Sequence, residues 1–130
     1  MTFNIDKPRP TEAELEILAV LWKEGPSTVR FVNDILKQKR EIGYTTTLKI
    51  MQIMSDKGLV SRELDGRTHV YAAAISQKDT QEKMIGKLMD SVFGGSAGKL
   101  VMSALGQNNT SDQELEEIRK YIQELQKSKK

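Results

Sequence analysis

Between Thr11 and Ala73 the hydrophobic period of the sequence changes once, and that change constrains the fold more than any other feature. Three segments carry apolar residues at helical spacing, and two short runs of strand type then flank Asp65-Gly66. Thr11 stands before Glu12, Glu14 and Glu16. A hydroxyl cap and first-turn acids both complement free backbone N–H groups, so a helix is predicted to start there. Leu15, Leu18 and Trp22, with Ile17 and Leu21, form its apolar stripe, and Gly25-Pro26 stops it. Ser27 or Thr28 caps a second helix with Val29, Val32 and Leu36 on one face. Lys37-Gln38-Lys39-Arg40 ends that helix with cations near its negative dipole end. A third helix is expected from Tyr44 to Lys57, closed by Gly58. Residues 59–64 and 68–73 read as the strands of a hairpin whose tight turn is Asp65-Gly66.

Helical pattern resumes at Ser76 and runs to Phe93. Residues 94–98 are expected to break it as a hinge, and residues 99–105 to make one or two helical turns. Residues 106–109 read as a loop, after which Ser111 and Glu114 have capping-box spacing for a last helix. The predicted fold is mainly α with a small β-hairpin wing. Residues 1–75 are expected to form a winged helix-turn-helix domain, of the kind that binds DNA, and residues 76–130 a helical dimerisation domain. Met84, Ile85, Leu88, Met89, Val92 and Phe93 give the fourth helical segment a broad apolar face. Leu115, Ile118, Ile122 and Leu125 give the last one a stripe at a/d-like spacing. Two helices can hardly bury both faces alone, so a second copy of the chain is the expected cover, the other reading being that they pack back onto residues 1–74.

Composition excludes more than it identifies. The chain of 130 residues has 38% hydrophobic and 29% charged residues, as a folded domain requires, and no apolar run of membrane-spanning length. Residues 1–6 lack the basic start and apolar core of a signal peptide, so a cytoplasmic chain is expected. With no cysteine there is no disulfide, thiol nucleophile or thiolate metal site. The one histidine, His69, can neither build a metal site alone nor complete a catalytic triad, and reads as a solvated strand residue. The carboxylates Glu114, Glu116, Glu117 and Glu124 read as caps and a solvated helix face. The glycines at 94–98 have no following Lys-Ser/Thr pair and no preceding strand, so they fit neither a P-loop nor a dinucleotide fingerprint. No enzyme constellation and no cofactor site emerges. The net charge is only +2, so an argument for nucleic acid must rest on where the charges sit.

They sit suggestively on the third helix. At about 100° per residue, Thr47, Ile50, Met51 and Met54 fall between roughly 140° and 240° from Thr45 and form a packing face. Thr45, Lys49 and Gln52 lie together on the opposite side, with Thr46 at the edge near the helix start and no acid before Asp56. Hydroxyls donate to phosphate, an ammonium pairs with phosphate or guanine, and an amide bonds adenine bidentately. The same face would also suit an ordinary solvated helix; the helix before it and the hairpin after it favour DNA recognition. Arg67, beside the hairpin turn, reads either as a wing-tip contact to phosphate or the minor groove, or as a solubilising turn residue.

Three stretches together resemble the penicillinase repressor family, the group of BlaI, MecI and CopY. They are the run from Thr11-Glu12-Ala13-Glu14-Leu15 to Leu21-Trp22, then Gly43-Tyr44-Thr45-Thr46-Thr47-Leu48, then Lys57-Gly58-Leu59-Val60. Arg67 to Tyr71 is similar to that family's wing. The resemblance covers most of residues 8–75 and implies a dimeric transcriptional repressor on an inverted-repeat operator of double-stranded DNA. It implies base and backbone contacts from Thr45, Thr46, Lys49 and Gln52. In the antibiotic-responsive branch, which governs β-lactam resistance genes, release follows cleavage of an Asn-Phe bond by a membrane-bound sensor protease. Residues 100–105 match that region but carry Ser103-Ala104 instead. The copper-responsive branch uses clustered C-terminal cysteines, which this chain lacks.

The leading expectation is therefore a homodimeric DNA-binding repressor, released by proteolysis within residues 94–110. Two other classes stay open: a winged-helix adaptor that docks proteins without touching DNA, and a regulator that answers a small molecule held between the C-terminal helices.

Overall fold

The computed structural model describes residues 9–129. The residues read for a signal peptide lie outside them. The elements run α1 (Glu12–Glu24), α2 (Val29–Leu36), α3 (Tyr44–Lys57), β1 (Val60–Asp65), β2 (Thr68–Ala73), α4 (Gln77–Val92), α5 (Ala97–Gln107) and α6 (Asp112–Ser128). Three helices, an antiparallel hairpin and further helices make a winged helix followed by a helical C-terminal part, as predicted.

Local chemistry sets most of the boundaries. At α1 the Thr11 hydroxyl accepts from the Glu14 amide, and the Glu14 carboxylate accepts from the Thr11 amide, a complete capping box. Thr28, rather than Ser27, caps α2. Ser27 is used differently: its amide and carbonyl pair with Tyr71 at 2.9 and 2.8 Å, attaching the loop between α1 and α2 to the sheet as a short bridge. The cations of residues 37–40 lie past the last turn of α2, which ends at Leu36, instead of within it as expected. The hairpin strands pair from Val60 with Ala73 to Asp65 with Thr68, which leaves Gly66-Arg67 as the two-residue loop. Gly66 takes φ +69° at the first of these positions, a conformation that a side chain resists. Arg67 is therefore the second loop residue, not a residue following an Asp65-Gly66 turn.

The core gathers Ile17, Leu18 and Leu21 from α1, Val29, Val32 and Leu36 from α2, Met51 and Met54 from α3, then Leu59, Val60 and Tyr71. Trp22 packs against this cluster and its indole N–H donates to the Ile75 carbonyl at 3.0 Å, fastening α1 to the chain where it leaves β2. The first compact unit extends to Glu82 and the second begins at Lys83, so the division falls within α4 and later than the 75/76 position expected from sequence. The reason is the first turn of α4, where Thr80 is buried and its hydroxyl donates to the Ser76 carbonyl.

The second unit is built differently. Among the described residues none beyond Thr80 is buried. Its glycine hinge is shorter than expected. Gly94 and Gly95 turn the chain with φ +60° and +80°, but Ser96 then caps α5 and Gly98 is already helical. Helix α5 also runs through Gly106 and Gln107, where a loop was expected, so it is longer than the one or two turns read from sequence. Ser111 caps α6 as predicted. No described helix is long and apolar enough to cross a membrane.

One long-range ion pair ties the start of α1 to the end of α3. Lys57 Nζ donates to both oxygens of the buried Glu14 carboxylate, at 3.0 and 2.8 Å. Burial pushes the Glu14 carboxyl up, but hydrogen bonds from Lys57 and the Thr11 amide, the Lys57 charge and the Thr11 hydroxyl together hold it below its ordinary value. A carboxyl lowered by folding contributes stability above its unfolded pKa and loses that contribution as pH falls through the folded one. Glu14→Gln, which can still accept from the Thr11 amide, is therefore expected to cost about 1–3 kcal/mol in urea unfolding at pH 7, from the lost charge pair with Lys57. The difference from the wild-type chain should narrow at pH 3; a gap of unchanged size at both pH values refutes the assigned role.

Candidate nucleic-acid interface

Helix α3 separates its residues by face as its sequence demands. Thr47, Met51 and Met54 are buried and Ile50 is half-buried against the core. Thr45, Thr46, Lys49 and Gln52 are all exposed. Lys49 makes no ion pair among the described residues, which leaves its ammonium available to an anion. Gly43 supplies no side-chain cap, so the first amides of α3 are not satisfied by a capping side chain.

The position of α3 is fixed by a buried polar chain. Asn33 of α2 is buried, and its Nδ2 donates to the Ile42 carbonyl at 3.1 Å and to Thr47 Oγ1 at 2.8 Å. Thr47 Oγ1 donates in turn to the Gly43 carbonyl at 3.2 Å. Two amide hydrogens, one hydroxyl and two loop carbonyls are thus paired within the turn that joins α2 to α3. Sequence reasoning placed Thr47 on the packed face but missed Asn33. The available signal was a short polar side chain between the apolar Val32 and Leu36 of the same helix.

The wing brings Arg67 to the hairpin loop, exposed, with Thr68 and His69 following it on β2. A cleft of about 460 Å³ separates the wing from the first residues of α2 and α3, and both Arg67 and His69 line it. Arg30 of α2 lies over the Tyr44 ring, 5.4 Å from its centroid, on the same cleft. The sequence singles out neither Arg30 nor this cleft, because the residues that form it, from Thr28 to Tyr71, lie far apart along the chain. Among the exposed large apolar residues are also Ile53 on α3 and Leu64 on β1.

The residues expected to form a dimer contact lie on α4 and α6. Met84, Leu88 and Val92 are exposed, as are Leu115, Ile122 and Leu125, with Leu88 at 45% and Ile122 at 45%; Ile118 is half-buried. Ser103 and Ala104 are exposed residues within α5 rather than part of an extended segment. Among the described residues no group of three or more His, Cys, Asp or Glu side chains is placed to hold a metal ion.

The buried polar chain yields a direct test. Asn33→Ala leaves Thr47 and the Ile42 carbonyl short of a donor and is expected to destabilise the chain by about 1–3 kcal/mol. Thr47→Val should then cost less in the Asn33→Ala background than alone, because residues sharing a hydrogen bond are not additive. Strict additivity in denaturant unfolding of the two single variants and the double variant contradicts the network.

Comparison with known proteins places these observations. The penicillinase repressor family model matches residues 10–124. The chain is 25% identical over 126 residues to the penicillinase repressor of Bacillus licheniformis, spanning 95% of this chain and 96% of that protein. It is 20% identical over 112 residues to the methicillin resistance regulatory protein MecI of Mammaliicoccus sciuri, spanning 86% and 91%. A shorter stretch of 62 residues is 36% identical to the transcriptional regulator BlaI of Mycobacterium tuberculosis, spanning 47% of this chain and 45% of that one.

Proposed function

The chain belongs to the penicillinase repressor family, whose members are transcriptional regulators and not enzymes, and from that premise we propose that it represses transcription as a homodimer on an inverted-repeat DNA operator. The observation that carries the reading is the exposed face of Thr45, Thr46, Lys49 and Gln52 on a helix whose other side is locked into the core. The first residues of such a helix meet base edges in the major groove, while Arg67 at the wing reaches the adjoining backbone or minor groove.

The second unit supports the dimer. Helices without a buried face are marginal in water, and α4 to α6 hold their apolar residues at partial exposure. A second copy supplies the missing face and links two reading heads, so that binding at one half-site raises the effective concentration at the other. The site of action is the cytoplasm, and the genes controlled are those of a β-lactam response. Release follows cleavage between residues 94 and 110 by a membrane-bound sensor protease. Ser103 and Ala104 are exposed but helical, so α5 must open locally before a protease can take it in extended form.

Selection of duplexes from a random pool by the full chain should return two half-sites on one face, about 10 bp or a multiple of it apart. Lys49→Ala should weaken binding to that duplex and flatten its dependence on salt. Ile122→Glu should yield a monomer in sedimentation whose first unit stays folded and which binds the selected duplex about a hundredfold more weakly, since the link between reading heads is lost. Full affinity in a Lys49→Ala, Arg67→Ala double variant removes this surface from the reading, and an undiminished dimer in Ile122→Glu removes the interface.

The release step is tested separately, by immunoblot of the native chain in cells given a cell-wall antibiotic, with a reporter on the target promoter. A shorter fragment should appear as the promoter is derepressed. Derepression with the repressor still at full length refutes proteolysis and favours a ligand that separates the reading heads.

A further inference from the structure

Two clefts of the first unit differ in charge. The larger, about 920 Å³ between α1 and the end of α2, mixes Glu12, Glu16 and Glu24 with Lys23, Lys39 and Arg40. Its Arg40 is already paired with Glu16 at 2.8 Å, so it favours neither sign of ligand. The smaller, between the wing and the first residues of α2 and α3, is lined by Thr28, Arg30, Tyr44, Arg67, Thr68 and His69 above an apolar floor, and no acid lines it. Neither Arg30 nor Arg67 makes an ion pair among the described residues.

We propose that this cleft seats one backbone phosphate of the duplex in each half-site, with Arg30 as the cation that meets it and Tyr44 as the residue that positions Arg30. The proposal rests on the DNA reading above and adds to it a site outside the face of α3 read for bases.

Four features support it. A guanidinium presents donors in a planar fork matched to phosphate, and Arg30 has no competing carboxylate. The Tyr44 ring holds that guanidinium at 5.4 Å, which reduces the conformational freedom lost on binding. Thr28 and Thr68 add hydroxyls on two walls of the cleft. Finally, Tyr71 is fully buried and lines the same cleft, and its hydroxyl is the one buried side-chain polar atom among the described residues without a hydrogen-bond partner. An unpaired buried hydroxyl is costly, and a polar group entering the cleft offers it a partner. The source of the phosphate is the duplex rather than a free anion because the cleft adjoins the first turn of α3. A duplex that offers base edges to Thr45 and Lys49 brings its own backbone alongside Tyr44, at the start of the same helix.

A phosphate seat carries no sequence information, and this separates it from base reading. In the full chain, Arg30→Ala should weaken binding to a selected duplex and to a shuffled duplex of the same composition by similar factors, about fivefold to twentyfold. It should also lower the salt slope by about one phosphate contact. Arg30→Lys should recover part of the loss on both duplexes, and Tyr44→Leu, which keeps bulk and removes the aromatic face, should lose part of it. Arg30 is exposed, so unfolding curves should remain close to wild type. Replacing single phosphates by neutral methylphosphonates should locate one position per half-site that matters to the wild-type chain and not to Arg30→Ala. Equal sensitivity of both proteins at every position overturns the proposal, as does a loss confined to the selected duplex, which would make Arg30 a base reader. Inorganic phosphate that shifts the Arg30 and Tyr44 NMR signals at millimolar concentration, with Arg30→Ala still binding both duplexes normally, assigns the cleft to a free anion and likewise overturns it. Failure of the wild-type chain to bind any duplex refutes the DNA reading itself, a result distinct from all of these.

Discussion

The hydrogen bond from Asn33 to Thr47 controls where the third helix points. Both residues are buried, and each is committed to a second partner in the connecting turn, Asn33 to the Ile42 carbonyl and Thr47 to the Gly43 carbonyl. A turn of this kind must place its carbonyls somewhere, because a buried polar group without a partner costs more than a normal hydrogen bond gains. Pairing them with side chains of α2 and α3 makes the angle between these helices a consequence of bond geometry. Apolar contacts such as Val32 and Met51 supply most of the stabilisation but are not directional. Direction comes from the polar chain, and at the far end of α3 from the Glu14–Lys57 pair. A helix held at both ends can carry exposed groups at a fixed spacing, as reading a rigid duplex requires.

The elements of the first unit were legible because local signals agree with one another there. Thr11 and Thr28 cap, Gly25 and Gly58 terminate, and the face of α3 that holds Thr47, Met51 and Met54 packs as its period demands. What sequence did not disclose depends on distance along the chain. Glu14 reads as a first-turn acid, and nothing local announces that Lys57 reaches it from the other end of a different helix. Ser27 reads as a cap, whereas the strand that turns it into a bridge arrives more than forty residues later. The cleft around Arg30 is invisible for the same reason: α2, α3 and β2 each contribute a part of it. Of the candidate face of α3, the exposed positions were readable from periodicity; the geometry that surrounds them was not.

Glycine accounts for the errors in the second unit. Gly98 and Gly106 were read as punctuation, yet both lie in α5. A glycine costs a helix interior only about 1 kcal/mol relative to alanine, so Ser96 at the N-cap and the apolar residues Leu100, Val101 and Leu105 suffice to carry the helix through both. Gly94 and Gly95, by contrast, take positive φ, and there the chain does turn. Composition alone treats all four glycines alike; position relative to a cap distinguishes them.

The contrast between the two units bears on how such a protein is switched off. The first unit has its own core, so its fold does not depend on a neighbour, while the described residues beyond Thr80 contain no buried side chain. In the proposed dimer the second unit gains its buried face only from the partner. Its stability is therefore tied to association, and weakening either one weakens the other. A cut or a ligand acting on α4 to α6 then leaves both reading heads folded and chemically unchanged, yet removes the linkage that makes two weak half-site contacts behave as one strong one. Loss of repression requires no change at Thr45, Lys49 or Arg67. In that proposed dimer the division of labour lies in where the chain keeps its core: the half that would hold a fixed geometry buries one, and the half that would come apart buries none among its described residues.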